Sequence, residues 1–164
     1  MESFSYQDLG RIVYAKALDI QTEKFNALLA AKAKGEKGRN ELLFCEHDPV
    51  LTIGKSGKDS NLLIPEARLQ ALGVSYYHIN RGGDITYHGP GQITGYPIFD
   101  LETWHIGLKQ YIYRLEETII RFLALYGLKG ERLEGATGVW LDPFVAGKAR
   151  KICAIGVKSS RFVT

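Results

Sequence analysis

The run Arg81-Gly-Gly-Asp-Ile-Thr-Tyr-His88-Gly-Pro-Gly-Gln-Ile-Thr-Gly-Tyr96-Pro97 constrains this chain more than any other stretch. It holds five glycines and two prolines. Each glycine gives up more backbone entropy on folding than any other residue. A run so rich in it calls for backbone that bends through positive φ, or that lies against a ligand with no side chain between. Apolar segments on either side, Val74–Ile79 and Ile98-Phe99, read as strands. Turn chemistry alone would make the run a structural hairpin or Ω-loop. The polar groups set between the glycines point instead to a binding surface. Arg81 offers a fixed fork of donors to a carbonyl, carboxylate or phosphate. Tyr87 and His88 can donate, accept or relay a proton.

Two nucleotide motifs fail on inspection. Gly89-x-Gly91-x-x-x-Gly95 has one residue too many for the dinucleotide fingerprint and runs into Pro97 instead of opening a helix. Gly54-Lys55-Ser56 resembles the tail of a phosphate-binding loop, but Pro49 stands where the upstream glycine is required.

In chain order, Arg11 to Ala15 reads as a first strand and Asp19 to Ala33 as a helix with Phe25, Leu28 and Leu29 on one side. Lys34 to Asn40 is a polar turn. Glu41–Glu46 and Val50–Ile53 follow as strands, with His47 between them in a turning segment before Asp48-Pro49. There the histidine is expected to act as a structural hydrogen-bonding group. Pro65 to Leu72 is a short helix with proline in its first turn and Gly73 past its end. Leu108, Ile112, Leu115, Ile119, Phe122 and Tyr126 recur at three- and four-residue steps, which predicts a long amphipathic helix closed by Gly127. Glu131 to Leu141 gives one or two strands, Asp142 to Gly147 a turn, and Arg150 to Val163 is rich in strand formers. Strands in consecutive runs with fewer helices predict an α+β fold, a mixed sheet with helices packed on it.

The 164 residues fit one domain, 1–164. No apolar run reaches the roughly 18 residues of a membrane span, and the N-terminus lacks the pattern of a secretory signal. Cys45 and Cys153 give no disulfide framework. A cytoplasmic, reduced protein with no membrane partner is expected. The formal charge of +3 reflects scattered lysines and arginines, or a shallow field that steers an acidic partner. The basic residues are not clustered with aromatics along one element, so nucleic acid is not an expected partner.

The run Arg81–Pro97 resembles the signature of the octanoyl-(acyl-carrier-protein):protein octanoyltransferases, or lipoyl(octanoyl) transferases. Two further segments are similar in order and spacing. One is Glu46 to Gly57 with Ser60-Asn-Leu-Leu63; the other is Gly138-Val-Trp140 followed by Lys151-Ile-Cys-Ala-Ile-Gly-Val157. The resemblance implies a catalytic domain like those of biotin and lipoate-protein ligases. It also implies transfer of an octanoyl group from acyl carrier protein to a lysine of lipoyl domains. The acceptors would be the lipoyl domains of 2-oxoacid dehydrogenase E2 subunits and the glycine cleavage H protein, with no cofactor and no metal.

The mechanism so implied uses a cysteine nucleophile and a thioester acyl-enzyme, which splits one transfer into two steps. By resemblance Lys151 is the catalytic lysine that lowers the thiol's pKa. Arg81, Gly82, Gly83, Asp84, Ile85, Thr86, Tyr87 and His88 bind substrate, with the two glycines letting backbone amides approach. Ala154, Ile155 and Gly156 supply a second backbone wall. His88 is the candidate proton relay, or equally a brace for its loop. The family's nucleophile lies in a Pro-Cys-Gly segment beyond this lysine, and no such segment occurs up to Thr164. Cys153 and Cys45 do not match it and are expected to be inert. The resemblance therefore implies either part of a longer chain or a relative without its nucleophile. Competing readings are an ATP-dependent lipoate or biotin ligase, and a non-catalytic module that binds acyl groups or carrier protein.

Overall fold

The computed structural model describes residues 4–164, with Glu66 in its backbone alone. The chain gathers into two compact units. One runs from the N-terminus to Trp104 and takes in Val157–Thr164; the other is His105–Gly156.

The first unit carries two mixed three-stranded sheets. In one, β1 (Ser5–Ile12) lies parallel to β2 (Glu41–His47), and β2 lies antiparallel to β6 (Thr94–Ile98). A parallel pair needs a long crossover, and α1 (Tyr14–Ala33) supplies it. The other sheet pairs β3 (Val50–Ile53) parallel to β4 (Ser75–His78) and antiparallel to β5 (Ile85–His88). Here the crossover contains α2 (Glu66–Ala71), which starts after Pro65 and closes with Gly73 N–H on the Gln70 carbonyl and Val74 N–H on the Leu69 carbonyl. That pair of hydrogen bonds at a glycine is the expected stop signal. Phe25 and Leu28 of α1 meet Leu43, Ile98 and Val163 in the core. Burying each such side chain contributes about 1.5–3 kcal/mol.

The second unit is built from α3 (Leu108–Ala124) and the antiparallel ribbon of β7 (Val139–Leu141) and β8 (Arg150–Cys153). Strands and helices together make the α+β class that the pattern predicts.

Four expectations are corrected. The first strand lies at Ser5–Ile12, not at Arg11 to Ala15, and Tyr14 already opens α1. β1 is polar, exposed over most of its length and interrupted between Asp8 and Arg11, so it shows no clean alternation. Tyr14 and Ala17 are buried by entering the helix, which local propensity could not foresee. The run Arg81–Pro97 is not one loop, because it contains all of β5 and most of β6. On α3 the buried residues are Tyr111, Glu116 and Leu123, while Leu108 and Phe122 are exposed, as is Tyr126 past the helix end. The stripe is rotated because Glu116 turns inward to an ion pair with Arg132. Finally, Arg150 to Val163 forms strand only over Arg150–Cys153.

Candidate functional site

Arg81 to His88 is assembled by the first unit. β5 pairs with β3 through Ile85–Ile53, Thr86–Thr52, Tyr87–Leu51 and His88–Val50. Ahead of β5, the Lys55 and Ser56 amides bond to the Arg81 and Gly83 carbonyls, at 2.9 and 3.2 Å. This zipper needs Gly54, where a Cβ would overlap the carbonyl oxygens of Gly83 and Arg81. The Arg81 fork turns into the protein. Its Nη2 donates to the Thr52 carbonyl at 3.0 Å and Oγ1 at 2.8 Å, and Nη1 donates to the Gly82 carbonyl at 2.9 Å. The Gly82 amide donates to the Val157 carbonyl at 3.0 Å. Asp84 accepts from Asn61 at 2.7 Å. Much of the hydrogen bonding expected to face a substrate thus braces the wall itself.

Behind His88 lies a group of rings. His47 is fully buried. Its Nδ1 is 2.9 Å from the Ile12 carbonyl, which can only accept, so Nδ1 donates there and Nε2 accepts from the Tyr96 hydroxyl at 2.7 Å. His47 is therefore the structural histidine that the sequence predicts, although it closes β2 instead of lying in a turn. Tyr14 packs against His47 at 5.3 Å, Tyr77 at 5.1 Å and His88 at 6.3 Å between ring centres. Burial pushes the Tyr14 phenol up to about 12 and raises that of Tyr96 further, so both hydroxyls keep their protons at neutral pH. Burial also pulls the His88 imidazole below the usual histidine range. His88 Nδ1 is held by Gln92 Oε1 at 2.7 Å.

Lys151 belongs to the second unit, on β8. Its Nζ donates to the Thr137 carbonyl at 3.0 Å and sits 4.7 Å from the centre of the Trp140 ring. Trp140 is itself fixed by an Nε1–H bond to the Ala136 carbonyl at 2.9 Å. The turn before β7 is held by Glu116, which accepts from the Gly138 amide at 2.9 Å and pairs with Arg132 at 3.0 Å. Gly138 has φ +123°, and a Cβ there would strike the Cys153 carbonyl. Ala154, Ile155 and Gly156 follow β8 without regular structure, Ala154 and Gly156 being exposed.

Both thiols are shifted away from reactivity. Cys45 is buried in β2, and burial, with Asp8 adding, pushes it up to about 11. Cys153 is raised by burial and by Glu116, which together outweigh the opposing pull of Lys151. A nucleophilic cysteine needs the reverse shift.

The structure brings Arg81 to His88 together on one arm, and Lys151 with Ala154 to Gly156 on another segment in the other unit. Sequence reasoning passed over Tyr14, Tyr96 and Gln92. Tyr96 and Gln92 lie within the glycine-rich run, and their polarity there was the available signal. Tyr14, inside a presumed strand, offered none.

A family model described as the lipoyl protein ligase A/B catalytic domain matches residues 14–164. The chain is 79% identical over 164 residues to an octanoyltransferase of Parabacteroides distasonis, covering 100% of this chain and 74% of that one. It is 59% identical to an octanoyltransferase of Porphyromonas gingivalis, over 98% of this chain and 33% of that one. A third, from Bacteroides thetaiotaomicron, is 53% identical over 96% of this chain and 69% of its own length. Among solved structures, the bipartite lipoate protein ligase of Thermoplasma acidophilum aligns with TM-score 0.61 at 15% identity, over 92% of this chain and 54% of that chain. Lipoate-protein ligase A bound with ATP aligns with TM-score 0.54 at 14% identity, over 82% of this chain and 51% of that chain. At such identities the structural likeness speaks for the fold. Matched over its whole length at 79% identity, and by the family model from Tyr14 onward, the chain belongs to the lipoyl(octanoyl) transferase family of acyltransferases.

Proposed function

We propose that this chain provides the acyl-binding part of an octanoyltransferase, which moves an octanoyl group from acyl carrier protein to a lysine of a lipoyl domain through a cysteine thioester. The acceptors are the lipoyl domains of 2-oxoacid dehydrogenase E2 subunits and the glycine cleavage H protein. The observation that carries this reading is the 79% identity over all 164 residues to a protein named octanoyltransferase. The setting is the reducing cytoplasm, in keeping with two unpaired cysteines.

In this reading Arg81 to His88 forms the wall along which the acyl group lies. Ala154 to Gly156 offers backbone amides to the carbonyl oxygen as it gains charge. Lys151 carries an ammonium, lightly restrained, that favours thiolate over thiol in a neighbouring cysteine. The raised pKa values of Cys45 and Cys153 support a nucleophile other than these two.

The test is octanoyl transfer from carrier protein to a lipoyl domain, with ATP and magnesium withheld, by a protein that carries this chain together with the nucleophilic cysteine. Transfer is expected to proceed; strict dependence on ATP would replace this reading with the ligase reading, which the ATP-bound structural neighbour keeps in play. Intact-mass spectrometry after incubation with octanoyl-acyl carrier protein adds a second arm. Binding with no covalent adduct on Cys45 or Cys153 is expected. A hydroxylamine-sensitive octanoyl adduct on either would relocate the nucleophile to that thiol.

A further inference from the structure

We propose that Gln92 is a positioning residue that holds His88 as its Nδ1–H tautomer and thereby presents Nε2 as a bare proton acceptor. Its catalytic use rests on the transfer reading above; the tautomer itself does not.

The argument is one of donors and acceptors. The Gln92 carboxamide has one donating and one accepting end. Its Nε2 donates to the Tyr87 carbonyl at 3.2 Å, so Oε1 is the end that faces His88 Nδ1 at 2.7 Å. An amide oxygen can only accept, and the proton between them therefore sits on Nδ1. The turn that carries Gln92 is itself pinned. The Gln92 amide bonds to the Gly89 carbonyl at 3.1 Å, and the Gly91 amide to Glu46 Oε2 at 2.9 Å.

The surroundings decide whether the second nitrogen is also protonated. Around the ring stand Tyr14 from α1, His47 from β2 at 5.8 Å between ring centres, the Arg81 guanidinium, and Gln92. None of these is a carboxylate. Burial, His47 and Arg81 all disfavour an imidazolium, and Gln92 alone works the other way. The ring therefore carries one proton, and Nε2, with no hydrogen-bond partner among the described residues, keeps its lone pair. A free imidazole prefers the opposite tautomer, so the partner at Nδ1 sets the state. In the transfer step the acceptor amine nitrogen bonds to the acyl carbon, the carbon–sulfur bond breaks, and sulfur leaves as thiolate. The surplus proton of the amine passes to Nε2.

The experiment is long-range proton–nitrogen NMR on the chain with 15N-labelled histidine. His88 is expected to show a protonated Nδ1 and a bare Nε2. Gln92→Leu should move most of the proton to Nε2; Gln92→Glu keeps an acceptor at Nδ1, should preserve the tautomer and should raise the pH at which His88 titrates. Wild-type protein with Nε2–H, or Gln92→Leu with an unchanged tautomer, would overturn the proposal. Gln92 is exposed, and an unchanged backbone spectrum in both variants separates tautomer from unfolding. On the reaction, measured in a protein that also carries the nucleophilic cysteine, Gln92→Leu should cut the transfer rate roughly ten-fold or more. Gln92→Glu should restore part of it, with the acid limb of the pH profile displaced upward. An undisplaced limb would remove His88 as the acceptor. A protein that carries the nucleophilic cysteine, shows the tautomer and transfers no octanoyl group would refute the transfer reading and leave the role of Gln92 on His88 intact.

Discussion

The arm Arg81–His88 and the strand that carries Lys151 hold their polar groups by different means. On the arm, the guanidinium of Arg81, the amide of Gly82 and the ring of His88 each have a partner within the first unit, and a ladder to β3 fixes the backbone. Behind it lie His47, Tyr14 and Tyr96, with every nitrogen of His47 satisfied. In the second unit Lys151 stands on a short two-stranded ribbon. One hydrogen bond and the face of one indole restrain its amine. The difference teaches that this chain can brace a wall through a network of hydrogen bonds and still leave a charged amine under weak restraint. On the proposed reading, a wall along which an acyl group lies needs fixed shape, whereas an ammonium that acts through its charge needs only approximate placement.

Substitutions in the two regions should therefore differ in size. The largest effect is expected from His47→Leu, which strands the Ile12 carbonyl and the Tyr96 hydroxyl in the interior and should cost about 4 kcal/mol in chemical denaturation. Gly54→Ala should cost about 2–3 kcal/mol by forcing apart the zipper with Arg81 and Gly83. If it proves neutral, the arm is not the rigid body described. Glu116→Gln removes the charge that pairs with Arg132, a partner some 30% exposed. A loss of about 2 kcal/mol is expected, below the cost of breaking a fully buried pair.

Trp140→Leu should barely alter stability but free the Lys151 amine. Removing a cation–π contact worth about 1 kcal/mol should raise its labelling by an amine-reactive reagent several-fold; unchanged labelling would mean that the indole does not restrain it. The smallest effect concerns pH. The depressed His88 pKa means that the unfolded chain binds a proton before the folded chain does. Stability should be full above the ordinary histidine range and decline as pH falls from about 6.5 toward the lowered folded value. Comparing His88→Gln with wild type across that window isolates the contribution, and identical slopes would show that burial of this ring does not matter.

Much of the frame was legible beforehand. Glu41–Glu46 and Val50–Ile53 are mostly apolar runs of strand length between turn residues, and the first falls one residue short of β2; Pro65 with Gly73 bracketed α2 as helix ends do. β1 was not legible because an exposed, interrupted edge strand has no buried face to imprint alternation on its residues. The buried side of α3 was misjudged because periodicity counts apolar residues, and here a glutamate faces inward. Arg81, His88 and Lys151 stood out through motif resemblance. Gln92 did not, since its importance lies in which end of a carboxamide faces a ring.

By itself the sequence determined the α+β class and the family, because these depend on patterns local to the chain and on motif spacing. Only the tertiary structure decided which donors are already spent, which way His88 carries its proton and how Lys151 is restrained. Those properties arise from pairings between residues far apart in sequence, such as Arg81 with Thr52 and His47 with Tyr96, and no one-dimensional pattern records them.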